Sequence, residues 1–128
     1  MSELHKTPIG EMWLEDGILW HRVDTADTIT EDDARAVVNI VRQITGGQPT
    51  PTVVDIRSIG FASKEARLGF AGPPDSSLEI ATALVVASSS SRIMAKAFLK
   101  LAKPERPIGV FTTVEEARKW AAQHRPGD

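Results

Sequence analysis

The chain has no cysteine and no tyrosine, only 5% aromatic residues, and little net charge, -2 over 128 residues. Without cysteine there can be no disulfide, thiolate zinc site, iron–sulfur ligation or thiol nucleophile, and thiol usage says nothing about compartment. The 15 bases against 17 acids do not make the basic footprint that general nucleic-acid binding needs. No stretch approaches the ~20 apolar residues of a membrane span, and the opening MSELHKTPIGE lacks the apolar centre of a secretory signal. A cytoplasmic protein with no membrane partner is therefore expected. What the chain does have, 41% hydrophobic and 25% charged residues, is ordinary globular usage. It suits one domain over residues 1–128, with an ordered core from about residue 10 to about residue 123.

Asp16-Gly17, flanked by β-favouring residues, predicts a hairpin of strands Glu11 to Leu14 and Ile18 to Val23. Thr30 before Glu31, Asp32 and Asp33 predicts a capped helix, with Ala34, Val37, Val38, Val41 and Ile44 on its apolar face and Gly46-Gly47 ending it. Thr52 to Arg57 is short, β-branched and nearly continuous in its apolar residues, as a strand covered on both faces should be. Ser63 can cap a short helix through Glu65, Ala66, Leu68 and Phe70, ended by Gly72-Pro73-Pro74-Asp75. Glu79 to Ala87 predicts another buried strand. Arg92 to Ala102 predicts an amphipathic helix striped by Met94, Ala97, Phe98 and Leu101, with Ser90 or Ser91 as its cap. Pro107 to Thr112 gives the last strand and Thr113 caps Val114 to Gln123, after which the tail HRPGD should fray. The order β-β-α-β-α-β-α-β-α predicts an α/β fold, a five-stranded mixed sheet with an antiparallel first strand and four helices.

At Val53 to Ala66, reading VVDIRSIGFASKEA, the chain resembles the SpoIIAA-like, or STAS, fold family, and the element order agrees over nearly the whole length. The blocks GILWHRVD, ITGGQPTPTVVDIR, KPERPIGVF and FTTVEEARKWA are similar to those of small bacterial proteins grouped as STAS/SEC14-like. In the anti-sigma-factor antagonists of the family this turn carries Phe-x-Asp-Ser-Ser-Gly, whose serine is phosphorylated to release a partner kinase. Here Phe61 matches, but Ser63 stands at the Asp, Lys64 and Glu65 at the two serines, and Ala66 at the Gly. The resemblance thus implies Phe61 as a packing residue and Ser63 as a helix cap, and no phosphoacceptor.

Several constellations invite chemistry, and each has a plainer reading. Arg92, Lys96, Lys100 and Lys103 share one helix face with Arg106 just beyond, five bases against Glu105 alone. That face could dock an acidic partner, or be a solvated outer surface. Asp24, Asp27, Glu31, Asp32 and Asp33 form its acidic opposite, explained by capping and the helix dipole, or by meeting the basic helix of a second subunit. Ser88 to Ser91 with Arg92 lie where a strand ends and a helix begins, a place that can hold an anion, although neither phosphate-loop glycine motif is present and plain capping also fits. Asp55 in a buried strand could face a pocket with Ser58 and Ser88, or could pair with Arg57 or Arg92. His5, His21 and His124 are dispersed, so no metal is expected, and no G-x-S-x-G elbow marks a hydrolase. Trp13 and Trp20 flank the hairpin, at interface or core positions.

The reading that follows is a non-enzymatic SpoIIAA-like regulatory or protein-interaction module without cofactor. It would be a homodimer by expectation, with Lys96, Lys100, Lys103, Arg106 and Trp13 as its surface. The alternative is a carrier or sensor of a small, partly apolar anionic ligand, held by Asp55, Ser58, Ser88, Ser91 and Arg92. An apolar concavity with few polar groups would favour the second, and a large exposed patch the first.

Overall fold

A computed structural model of the protein describes residues 3–25, 28–58, 63, 79–102 and 106–126. Asp16 and Gly17 both take positive φ, 55° and 74°, the two-residue turn that matches strand twist. It joins β2 (Gly10–Glu15) to β3 (Ile18–Val23), as the hairpin signal predicts. A strand absent from the sequence reading, β1 (His5–Thr7), precedes them and pairs antiparallel with β2. It has three residues and runs into Pro8, too short a stretch to show a period.

Helix α1 (Glu31–Thr45) starts as its sequence dictates. Thr30 accepts from the Asp33 N–H, and the Asp33 carboxylate accepts from the Thr30 N–H at 2.9 Å. Strand β4 (Thr50–Asp55) begins two residues earlier than expected and takes in Pro51. A strand interior tolerates proline at a bulge, where no ladder donor is required, and the register with the next strand shifts between Thr50 and Pro51. The predicted helix from Ser63 to Phe70 and the Phe61 packing role lie outside the described residues, as does a capping role for Ser63, of which only the N–H donating to Ile29 O is described.

Strand β5 (Glu79–Val85) is followed by α2 (Ser89–Ala102), which absorbs three of the four serines. Its cap is Ser88 rather than Ser90 or Ser91, because Ser88 Oγ accepts from the Ser91 N–H at 3.1 Å. Strand β6 (Ile108–Phe111) and α3 (Val114–Ala122), capped by Thr113, complete the described elements. The tail does not fray at once: the His124 ring lies 4.4 Å from that of Trp120, and Arg125 Nη1 donates to Asp16 O at 3.1 Å.

The six described strands lie in chain order, β1 to β6, antiparallel up to β3 and parallel from β3 to β6. The antiparallel entry into a parallel sheet is as predicted; the sixth strand is the correction. Strand alternation sends Met12, Leu19, Val23, Ile56 and Leu84 to one face, where they pack with α1 residues Val37 and Val41 and with Ala95 of α2. It sends Ile18, Val53, Ala83 and Val85 to the other, under Ala117 and Ala121 of α3. Among the described residues no helix is long and apolar enough to cross a membrane.

Candidate functional site

The face shared with α1 and α2 is not filled by the described side chains. A cavity of about 90 Å³ remains between sheet and helices, walled by Val23, Val54, Leu84, Met94 and Phe98 among others. Among the described residues, four polar side chains join this wall: His21, Glu79, Thr82 and Arg106. Strand geometry puts them there. Glu79 opens β5 and Arg106 lies two residues before β6, so the starts of two neighbouring parallel strands bring opposite charges together.

The ion pair is largely desolvated, with side chains 9% exposed for Arg106 and 19% for Glu79 and Nη2 to Oε2 at 3.4 Å. Arg106 Nε also donates to Thr82 Oγ1 at 2.8 Å. Burial pushes the Glu79 carboxyl above the ordinary glutamate range, and the Arg106 charge and the Thr52 hydroxyl pull against that without cancelling it. Thr52 Oγ1 is buried and completes no geometrically sound hydrogen bond, so its hold on Glu79 is weak. Burial also holds His21 down at about 4, so the imidazole is neutral at pH 7. Its Nε2 lies 3.3 Å from Oγ1 of Thr7 in β1.

Arg106 therefore leaves the basic face to which the sequence assigned it. Counting it with the helix ignored that Pro107 begins a strand, and the useful signal was an acid and a base at the starts of two apolar strands. Arg92, Lys96 and Lys100 are exposed on α2 with Ile93 beside them, 61% exposed. Lys103 lies outside the described residues.

Asp55 and Ser58 do meet, but in a second, polar recess with Arg22, Asp24 and Arg57, at the carboxyl ends of β3 and β4. Asp55 there is held from two sides by one arginine: Arg57 Nε donates to Oδ1 at 2.9 Å and Nη2 to Oδ2 at 2.6 Å. Burial works to raise the Asp55 carboxyl, but the hydrogen bonds and charge of Arg57, with the charge of Arg22, hold it below its usual range. Ser88 and Ser91 bind each other. Buried Ser91 Oγ accepts from the Ala87 and Ser88 N–H groups at 3.0 and 3.1 Å, which closes the turn at the start of α2. Trp13 stacks on Trp20 across the hairpin, centroids 6.2 Å apart and planes 4° from parallel.

Strand order and helix placement define the class: a mixed sheet entered by a hairpin, in a SpoIIAA-like fold. A Shewanella loihica PV-4 protein of the DUF3478 family with that fold matches at a TM-score of 0.55 and 11% identity, over 94% of this chain and 92% of that one. The chain belongs to the family described as a domain of unknown function, DUF7793, whose model matches residues 12–125. A protein of unknown function from Arthrobacter sp. FB24 is 28% identical over 94% of this chain and 98% of that one, with a TM-score of 0.33. No curated protein matches.

Proposed function

We propose that the protein is a non-enzymatic ligand-binding domain, a carrier or sensor of a small, partly apolar anionic molecule, and that the cavity under α1 and α2 is its site. The observation that carries this is the wall itself: aliphatic and aromatic side chains interrupted at one end by a desolvated Arg106–Glu79–Thr82 cluster. Convergent polar groups in an apolar concavity are the usual form of a small-molecule site. This moves the ligand reading ahead of the interaction reading and moves its residues from the Asp55 and Ser88 turns to the sheet face. Native mass spectrometry of protein purified gently from its own source is expected to show a discrete added mass. The mass should vanish in Ala95→Leu, which grows a side chain into the cavity from a position only 2% exposed. An unchanged mass in the native protein, or one that survives the substitution, would count against the site.

A second reading, contact between two copies, is favoured by the exposed row Arg92, Ile93, Lys96 and Lys100 on α2, together with exposed Glu31 and Asp32 at the start of α1. Light scattering should then show a dimer that dissociates in high salt and in the Lys96→Glu, Lys100→Glu double variant. A mass unaltered by both treatments would remove this reading.

A further inference from the structure

The described sheet ends on β1 at one side and on β6 at the other, and the two edges are not guarded alike. Edge strands are normally blunted by a lysine, a proline or a covering segment, because their unpaired N–H and C=O groups invite another strand. β1 carries Lys6 at its centre and runs into Pro8. β6 reads Ile-Gly-Val-Phe without a charge, and its Val110 is 45% exposed. Which of its backbone groups are free follows from its pairing with β5. The Pro107 and Phe111 carbonyls accept from the Thr82 and Val86 N–H groups at 3.0 and 2.8 Å. The N–H and C=O of one residue point to the same side of a strand, and the side alternates along it. Ile108 and Val110 therefore turn both groups away from β5, and among the described residues nothing meets them. Pro107 does not interrupt this outer row, since its missing N–H lies on the β5 side.

We infer that this edge pairs with β6 of a second copy, antiparallel about a twofold axis at Gly109, so that one sheet runs through both molecules. The register is what selects a second copy. With Gly109 opposite its counterpart, Ile108 of each chain falls opposite Val110 of the other. Those are the residues whose groups turn outward, so each couple exchanges both bonds of a hydrogen-bonded antiparallel pair. One strand thus satisfies itself, as a twofold interface demands. The side chains agree with this. Val110 is in register with Leu84, on the face where Leu84 and Ile108 join the core under α1 and α2, so Ile108 of the second copy covers the exposed Val110. At the central pair, where opposite Cα atoms approach to about 4.5 Å, each chain presents a glycine. On the other face the Phe111 ring already lies 2.5 Å from where a Gly109 Cβ would stand. No charge on the strand repels its copy. A seam of four residues buries much less than the about 800 Å² a side of a standard interface, so the dimer is weak, with a Kd on the order of 0.1 mM.

The inference is independent of the cavity and is tested without any ligand, by sedimentation and amide exchange of the full chain. From about 50 µM to about 1 mM, monomer is expected to give way to dimer, and the Ile108 and Val110 amides to exchange about threefold more slowly. The Gly109 and Phe111 amides, which face β5, should not change with them. Val110→Lys, which charges a side chain already exposed, should weaken the dimer at least tenfold, while Val110→Thr, which keeps the branched β-carbon, should stay within about threefold. Salt at about 1 M and the Lys96→Glu, Lys100→Glu double variant should leave this dimer in place, which separates it from the helix-mediated contact above. A monomer at the highest concentration overturns the second copy and leaves the edge to a strand of another protein. A dimer that survives Val110→Lys, or one whose Ile108 and Val110 amides gain no protection, overturns the pairing. Should Val110→Lys not fold, the amides of the native protein decide.

Discussion

Replacing Glu79 with leucine is expected to cost about 3 to 5 kcal/mol at neutral pH, and more than replacing Arg106 with leucine. Both substitutions break one largely desolvated pair, and removing one partner of such a pair leaves the other charge stranded. The asymmetry comes from what each survivor can do. A carboxyl can take up a proton and become neutral, whereas a guanidinium cannot lose one. In Arg106→Leu the native carboxyl is raised further above its unfolded value, so the folded state binds the extra proton in the window above that value. Its stability is present in acid and lost as pH rises through the folded pKa. The Arg106→Leu penalty should therefore shrink between neutral pH and about pH 5, while the Glu79→Leu penalty should not shrink with it. Urea unfolding of the two variants across that range decides: equal costs with parallel pH profiles would mean that the charges are solvated. The double Leu variant should recover part of the loss, because it strands no charge and costs only the neutral partners of the pair, such as the Thr82 hydroxyl that accepts from Arg106.

Acidification should cost the native protein a further share of its stability through His21, up to about 3 kcal/mol between pH 6.5 and pH 4. The direction follows from proton counting. The native imidazole stays neutral down to about 4, while the unfolded one takes up its proton near 6.5. Across that window the unfolded state binds more protons and is favoured as pH falls; above pH 6.5 neither form is charged and the cost disappears. Glu79, whose carboxyl is raised by burial, acts in the opposite sense, so the measured slope is the difference of two contributions. Denaturant midpoints of His21→Gln, compared with those of the native protein at each pH, isolate the first. Midpoint curves that stay parallel from pH 7 to pH 4 would show that His21 is hydrated in the folded protein.

Much of the fold can be read from local chemistry. Asp16-Gly17, Thr30 with Asp33, and Thr113 each act within a few residues, and each stands in the structure where the chain announces it. The errors share another origin. Strand β1 exists only because β2 offers it an edge, and no periodicity can show in three residues. Pro51 reads as a terminator until β5 is beside it and the local register shift removes the need for its missing N–H. Ser88 rather than Ser90 or Ser91 caps α2 because the strand before it ends at Val85, a boundary that four identical side chains do not mark. The candidate site is the extreme case. Glu79 and Arg106 are 27 residues apart in the chain, and their meeting depends on β5 and β6 being neighbours in parallel, a fact of the sheet and of no segment alone.

Because the strands lie in the order in which they occur in the chain, no strand has to be inserted between two already paired. A polypeptide leaving the ribosome can add each new strand to the open side of a growing sheet. One half of the interior is nevertheless left until last. Ile18, Val53, Ala83 and Val85 are covered by α3, which is made only after all six described strands. A chain released before Val114 would carry every described strand with one greasy face turned to water. Such a fragment is a natural target for chaperones and proteases, and the nine residues of α3 are what shield that face from them.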